Sequence, residues 1–167
     1  MAAMTDPRDL FLHELGDILY AERVLVRALP TLQKEATDKE LAAGFKNHLA
    51  ETRQHVANVE QAFKALGEKP KAEQCPGIDG IKKEHDEFVK GESPSAEVLD
   101  TFLTGAGARV EHYEIAAYEG LITAARAMKE REVVRLLSAN LAQEKAALSK
   151  MKTIGKRFAQ RNAAAKK

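Results

Sequence analysis

Two glutamates and a tyrosine share one face of a predicted helix in the second half of the chain. The segment from Gly107 to Tyr118 reads GARVEHYEIAAY, and at roughly 100° per residue Glu111, Glu114 and Tyr118 fall within about 60° of one another. Apolar residues extend this face, so we expect it to point into the protein. Burying an unpaired carboxylate costs several kcal/mol, so the pair requires protons, basic partners or a metal ion.

Glu22 and Glu144 interrupt the apolar stripes of two other predicted helices. Each lies in the middle of a pattern of apolar residues spaced three and four apart. A single glutamate in such a stripe could extend its side chain to solvent. Structural ion pairs would need an inward Lys or Arg, and the four helical stripes contain none. The two acids together therefore favour a shared interior site.

Distances along the chain place the acids of four helices at one height. Glu22 and Glu51 each lie about 14.5 residues from the turn between the first two helices. Glu114 and Glu144 lie about 15.5 and 14.5 residues from the turn between the last two, and Glu111 lies one turn further along. Periodicity puts Glu51 about 80° off the centre of its stripe, at the edge.

Carboxylates and imidazoles in this arrangement predict a dinuclear Fe or Mn site. Four ionised carboxylates would balance two divalent cations, and oxygen with imidazole ligands suits these metals. His48 and His55 flank Glu51 on an inward arc, and the sequence does not choose between them. Tyr118 could exchange an electron with the site or simply pack beside it. The predicted ligands are Glu22, Glu51, Glu111, Glu114 and Glu144, with His48 or His55.

Capping residues and helix breakers divide the chain into two helical hairpins. Helices are predicted for about 5–36, 37–66 and 95–128, and a last one begins after a break at 129–131. The connection 67–95 is rich in Gly and Pro, with a possible short helix at 78–89. A link this long can cross the length of a bundle. We therefore expect an all-α, up-down four-helix bundle.

Composition and charge are consistent with one helical domain at 5–162 and a basic C-terminal tail at 163–167. Of 167 residues, 44% are hydrophobic but only 5% are aromatic, as in cores of packed helices. From Lys145 to Lys167 there are eight basic residues and no acidic one, whereas the preceding part carries a net charge of −7. We expect these cations to complement the dipole of the last helix, and contact with nucleic acid is the alternative.

Single residues outside the acid pattern give further expectations. Cys75 is the only cysteine, so we expect a reducing compartment and an inert thiol in a loop. No segment is long and apolar enough for a membrane anchor, which predicts a cytoplasmic protein. His85 is expected to be solvated. His112 is expected on the surface, or behind the metal ligands.

The third long helix is apolar around most of its circumference, which predicts a second copy of the chain as a partner. A helix of this kind is either central or meets another subunit. The first helix also has an apolar outer face, formed by Leu10, Leu19 and Val26. More apolar surface is therefore available than one bundle core needs, and we expect a homodimer.

Four segments of the chain resemble the ferritin-like bacterial stress proteins of the YciE/YciF type. They are Asp17 with Ala21-Glu22, the segment HLAET at 48–52, the run VEHYEIAAY at 110–118, and Glu144-Lys145. The resemblance implies a ferritin-like bundle, dimeric and similar to rubrerythrin-type di-iron proteins. The general di-iron pattern has two Glu-x-x-His motifs, whereas this chain has Gln54 and Ala147 at the histidine positions.

Two functions follow from the residues and the resemblance together. The first is a stress-response protein with a carboxylate-bridged dinuclear metal site that oxidises Fe(II) or removes peroxide. The alternative is a non-catalytic dimeric stress protein, in which the acid cluster is structural or vestigial. In that alternative the basic tail contacts nucleic acid or a partner.

Overall fold

The structure, a computed structural model, describes residues 4–164. These residues form five helices, and each long helix agrees with its predicted range to within a few residues. The short helix is longer than predicted, because it begins two residues earlier and ends three later. The helices are α1 (Pro7–Glu35), α2 (Lys39–Ala65), α3 (Pro76–Glu92), α4 (Ala96–Ala127) and α5 (Arg131–Ala164).

Local capping interactions explain where the helices begin. The Asp6 carboxylate accepts a hydrogen bond from the backbone N–H of Arg8 at 2.8 Å, and the proline that follows opens α1. Asp38 caps α2 by accepting from two backbone N–H groups at 3.0 Å each. Pro30 lies within α1, and the helix continues to Glu35 as the sequence predicts.

Contacts at one end of the bundle define the direction of each helix. Asp100 in the first turns of α4 binds Thr37 in the α1–α2 turn, so α4 runs antiparallel to α1. Arg157 near the end of α5 reaches Asp38 at 2.8 Å, so α5 returns to the same end. The helices α1, α2, α5 and α4 surround one core in that order. This arrangement confirms the predicted ferritin-like bundle of two hairpins with a crossover.

The crossover packs along α1 and α4, and this packing corrects two predictions. The backbone N–H of Glu73 donates to the carbonyl of Gly16 at 3.0 Å, and a Cβ at Gly16 would lie only 2.7 Å from the backbone of the crossover. His85 of α3 is not solvated, because its Nε2 lies 2.8 Å from Glu35 and its side chain is only 12% exposed. Leu19 is fully buried rather than on an outer face.

Part of the apolar surface of α4 is covered by α3 from the same chain. Phe88 of α3 stacks on Phe102 of α4 with ring centroids 3.9 Å apart. Leu10 and Val98 remain half exposed. Within residues 4–164 there is no helix with the length and hydrophobicity needed to span a membrane. Lys166 and Lys167 of the predicted basic tail lie outside the described residues.

Candidate metal centre

Six acidic and histidine side chains from four helices converge in the bundle interior. Glu22 comes from α1, the two histidines from α2, two glutamates from α4 and the last glutamate from α5. All six are buried, and four of them have no exposed surface. The six residues are Glu22, His48, His55, Glu111, Glu114 and Glu144, and we refer to them as the acid–histidine cluster.

The acid–histidine cluster contains two groups of donor atoms that share Glu144. One group consists of Glu22, His55 and Glu144, and the other of His48, Glu111, Glu114 and Glu144. Within each group the donor atoms lie within 4.8 Å of one another, a spacing that would fit around a single ion. Glu144 is therefore the one residue common to both groups of donor atoms.

The cluster also holds the polar atoms that the protein leaves without hydrogen bonds. Within residues 4–164, eight buried side-chain nitrogen and oxygen atoms have no hydrogen-bond partner, and all eight belong to the six cluster residues. Both carboxylate oxygens of Glu114 and both of Glu144 are among them. Such atoms are rare in folded proteins because each one costs about 1–3 kcal/mol when it is buried without a partner. Side-chain atoms left without hydrogen bonds in this way are available to hold a metal ion.

The electrostatic environment shows that the buried charges of the cluster are costly to the folded protein. Burial, with the neighbouring carboxylates, raises the pKa of Glu111 and of Glu114 well above the usual value. Burial would lower the pKa of His55, but the carboxylates of Glu144 and Glu22 beside it raise that pKa to about 10. Burial alone would raise the pKa of Glu144, but a proton on Glu111 and the two imidazoles stabilise its negative charge. The pKa of Glu144 is therefore lowered overall. Protons thus reduce the net negative charge of the cluster.

Neighbouring side chains orient both histidines toward the centre of the cluster. Nδ1 of His48 lies 3.2 Å from the Glu51 carboxylate, which leaves Nε2 facing Glu111 at 3.4 Å. Nε2 of His55 lies 2.7 Å from the amide oxygen of Gln143. Its Nδ1 is therefore directed at Glu144, 2.8 Å away, in close contact but without hydrogen-bond geometry. A ring nitrogen held by an outer partner fixes the tautomer that a metal ligand needs.

The predicted site residues are brought together with one exception. The sequence left open which histidine belongs to the site, and the structure brings both to the cluster, one in each group of donor atoms. Glu51 is in neither group; its side chain is 39% exposed, and it contacts the outer nitrogen of His48. Whether any of these residues binds a metal stays a prediction. His112 is exposed on α4, as expected.

A network of buried polar residues beside the cluster was missed in the sequence. The hydroxyl of Tyr118 donates to Glu22 and accepts from the Nδ2 amide of Asn140 at 3.0 Å. Asn58 donates to the Asn140 side chain at 2.7 Å. Gln143 completes the set through His55. The available signal was the spacing from Asn140 to Glu144, which puts both on one inward helical face.

Cys75 lies at the end of the loop predicted for it, where the loop meets α3. It is the N-terminal capping residue of α3, and its thiol lies 2.9 Å from the hydroxyl of Tyr113. Tyr113 in turn donates to Asp17 at 3.1 Å. Burial raises the pKa of the Cys75 thiol despite its helix N-terminal position. The thiol is therefore held in its unreactive, protonated form.

Comparisons with known proteins agree with this fold over nearly the whole chain. A family profile described as a domain of unknown function, DUF892, matches residues 6–164. Protein YciF of Escherichia coli (strain K12) is 34% identical over 139 residues, which are 83% of each chain. The crystal structure of YciF, described as a stress protein, superposes with a TM-score of 0.89 at 32% identity and covers 94% of this chain and 99% of that one.

A second solved structure extends the comparison. YcfI of Rhodopseudomonas palustris, provisionally described as a structural protein, has a TM-score of 0.86 at 43% identity. The match covers 89% of this chain and 94% of YcfI. The profile match and the identity to YciF each extend over more than four fifths of the chain. The chain therefore belongs to the YciF-type family of bacterial stress proteins, whose matched region is described as a domain of unknown function.

Proposed function

We propose that this chain is a stress-response protein whose acid–histidine cluster binds two Fe or Mn ions and uses them to oxidise Fe(II) or remove peroxide. The observation that carries this proposal is the set of eight buried donor atoms without hydrogen bonds, all in the cluster. A structural polar network would satisfy its own members, because an unsatisfied one is worse than an apolar core. Metal cations shared among these eight atoms would satisfy them.

The donor set fits two divalent cations in number, type and charge. Glu22, His55 and Glu144 would hold one ion, and His48, Glu111, Glu114 and Glu144 the other. The four carboxylates of these residues would balance the charge of two divalent ions. Carboxylate oxygens combined with imidazole nitrogens are ligands that iron and manganese both accept.

Redox chemistry is what such a pair would add to the protein. Two Fe(II) ions, if bound, would supply the two electrons that, with two protons, reduce one peroxide molecule to two water molecules. The chain contributes a dry interior and fixed ligands: Tyr118 holds Glu22, and Glu51 and Gln143 hold the two histidines. The protons on Glu111 and Glu114 must leave when metal binds, so uptake should release protons.

The alternative proposal, a non-catalytic stress protein, has one observation in its favour. YcfI, at 43% identity, is provisionally described as structural. Two of the basic residues that precede the tail contact acids of the same chain, because Arg157 pairs with Asp38 and Arg161 lies 3.7 Å from Glu97. We therefore give nucleic-acid contact the lower place. If the tail does bind DNA, binding should weaken steeply with added salt.

Assembly and location complete the proposal. We propose a homodimer, which would cover the half-exposed Leu10 and Val98. A cytoplasmic location fits the free thiol of Cys75. Light scattering at micromolar concentration tests the dimer, and a monomer at that concentration would remove it.

Metal analysis followed by an oxidation assay tests the function. Purified protein, loaded anaerobically with Fe(II) and desalted, should retain two ions per chain, in line with the two donor groups. Glu22→Ala should lose binding, whereas Glu119→Ala, an exposed glutamate on α4, should keep it. Adding peroxide should then oxidise the bound Fe(II) faster than free Fe(II). If bound iron reacts no faster than free iron, the proposed metal site stands but its catalytic role is excluded.

A further inference from the structure

A small cavity connects the acid–histidine cluster to the surface between α2 and α5. Its volume is about 140 Å³, and its lining includes His48 and Glu111 of the cluster. Glu51 and Lys150 also line it, and both side chains are partly exposed to solvent. A larger cavity of about 320 Å³ lies beneath α3, but no cluster residue lines it. The cavity between α2 and α5 therefore reaches the donor atoms, and the larger one does not.

Small residues keep this cavity open. Ala147, three residues after Glu144, lines it at the position where the general di-iron pattern has a histidine. Gly44 lines the opposite side, where a Cβ would lie 3.5 Å from Lys150 and Met151. In this chain the imidazole comes from His48 on α2 instead. The departure from the general pattern thus leaves space where a ligand side chain would otherwise stand.

Glu51 lies at the outer side of this opening. Its carboxylate contacts His48 at 3.2 Å, while 39% of its side chain is exposed. Glu111, 4% exposed, lies further inside. A cation approaching from solvent would therefore meet one partly solvated carboxylate before it reached the buried ones. Carboxylates lining a narrow opening raise the local cation concentration and the rate of association.

We propose that the opening between α2 and α5 is the path by which metal ions and small oxidants reach the acid–histidine cluster, with Glu51 as the positioning residue at its mouth. The inference rests on the proposed function and specifies its substrate class. A volume of about 140 Å³ corresponds to roughly five water molecules at about 30 Å³ each. Peroxide, O₂ and a partly hydrated ion fit this space, whereas larger organic substrates do not.

Blocking the opening should change the rates of metal transfer without changing the site. Ala147→Leu fills the path with an uncharged side chain that favours helix. We expect anaerobic Fe(II) loading to slow by about tenfold, because each passage then needs a local opening of the helices. Release of bound Fe(II) to an excess of a coloured chelator should slow by the same factor. The matched control is Ala28→Leu, which fills the larger cavity and should leave both rates unchanged.

Replacing Glu51 at the mouth of the opening tests whether this residue guides incoming cations or binds the metal itself. Glu51→Gln can still accept from Nδ1 of His48 but removes the charge. Loading should slow by about tenfold, and the difference from the wild type should diminish with added salt, because salt screens the attraction of the Glu51 carboxylate in the wild type. The number of ions bound at equilibrium should stay at two. A loss of one ion in Glu51→Gln would make Glu51 a ligand and overturn its assigned position.

The outcomes distinguish this inference from the function on which it rests. If wild-type protein binds two Fe(II) ions and Ala147→Leu loads and releases them at the wild-type rate, the path is wrong and the metal site stands. If Ala28→Leu slows transfer instead, the ions pass beneath α3. If wild-type protein takes up no metal from anaerobic Fe(II), the proposed function fails, and the path fails with it.

Discussion

Two buried carboxylates on α4 meet opposite environments. Asp100 is 2% exposed, and its oxygens accept hydrogen bonds from the Thr37 hydroxyl at 2.6 Å and from two backbone N–H groups at 2.8 and 3.0 Å. Glu114, further along the same helix, has no exposed surface, and neither of its oxygens accepts a hydrogen bond. Asp100 joins α4 to the α1–α2 turn. Glu114 makes no comparable link.

The difference shows how structural and ligand carboxylates can be told apart. Folding stability explains Asp100, because each of its contacts offsets part of the cost of burial. Stability does not explain Glu114, whose neighbours are other acids and whose pKa is raised by burial and by their charges. A buried group that destabilises the folded protein in this way is typical of functional sites.

Replacing Asp100 should have the largest effect on stability. We expect Asp100→Leu to lower the free energy of unfolding by about 2–4 kcal/mol, because it removes three hydrogen bonds to a charged group. Urea unfolding with and without Mn(II) measures this. The loss should be similar in both conditions. A loss that vanished with metal would mean that Asp100 acts through the site.

The same substitution at Glu114 should act in the opposite direction. We expect Glu114→Leu to raise the free energy of unfolding of the metal-free protein by about 1–3 kcal/mol, because it removes a buried acid without a partner. Urea unfolding in the presence of a chelator measures the gain. Metal binding should be lost at the same time. A destabilised metal-free variant would show that Glu114 supports the fold and would remove the contrast with Asp100.

Raising the pH should destabilise the metal-free protein through His55 and Glu114. The pKa of His55 is raised to about 10, so its stabilising charge is fully present below pH 6.5 and lost as the pH passes 10. The raised pKa of Glu114 acts in the same direction, because ionisation of the buried acid becomes costly as the pH rises. We expect a loss of about 1–2 kcal/mol between pH 6.5 and 10.

A Glu114→Leu variant provides the control for this pH dependence. Its loss between pH 6.5 and 10 should be smaller than that of the wild type, because the acid with the raised pKa at position 114 is absent, while Glu144 and Glu22 still raise the pKa of His55. Urea unfolding at several pH values gives both curves. A stability that rises over this interval in the wild type would contradict the assigned charges.

The smallest effect on stability is expected for an exposed ion pair between α4 and α5. Glu119 pairs with Lys145 at 2.7 Å, and both side chains are more than half exposed. We expect Lys145→Ala to change the free energy of unfolding by no more than about 0.5 kcal/mol. A larger loss in urea unfolding would show that an α4–α5 surface pair contributes as much as a buried carboxylate.

The sequence predicts the bundle and most of the cluster because both depend on helical periodicity. Glu22 and Glu144 stand out as acids within apolar stripes, and the caps at Asp6 and Asp38 mark helix starts. Glu51, predicted as a ligand from its height, lies outside both groups of donor atoms and contacts the outer nitrogen of His48. The position of a residue along a helix therefore does not by itself predict whether its side chain reaches the site; the direction of the side chain around the helix axis is also needed.

The features that sequence reasoning missed depend on how separate segments dock. His85 and Leu19 are buried because the crossover lies over α1, and no local pattern shows where a connection with several breakers will pack. Asn58 and Asn140 are polar residues with ordinary surface frequencies, and only their contact across α2 and α5 makes them interior groups. The two histidines were equivalent in the sequence because both lie near Glu51, one on each side.

The most direct test of the central claim is an anomalous difference map from crystals loaded anaerobically with Fe(II), measured at the iron absorption edge. We expect two peaks per chain on either side of Glu144, one beside Glu22 and His55 and the other beside His48, Glu111 and Glu114. Both peaks should be absent in crystals of Glu144→Ala treated in the same way. Wild-type crystals with no peak inside the acid–histidine cluster would contradict the claim.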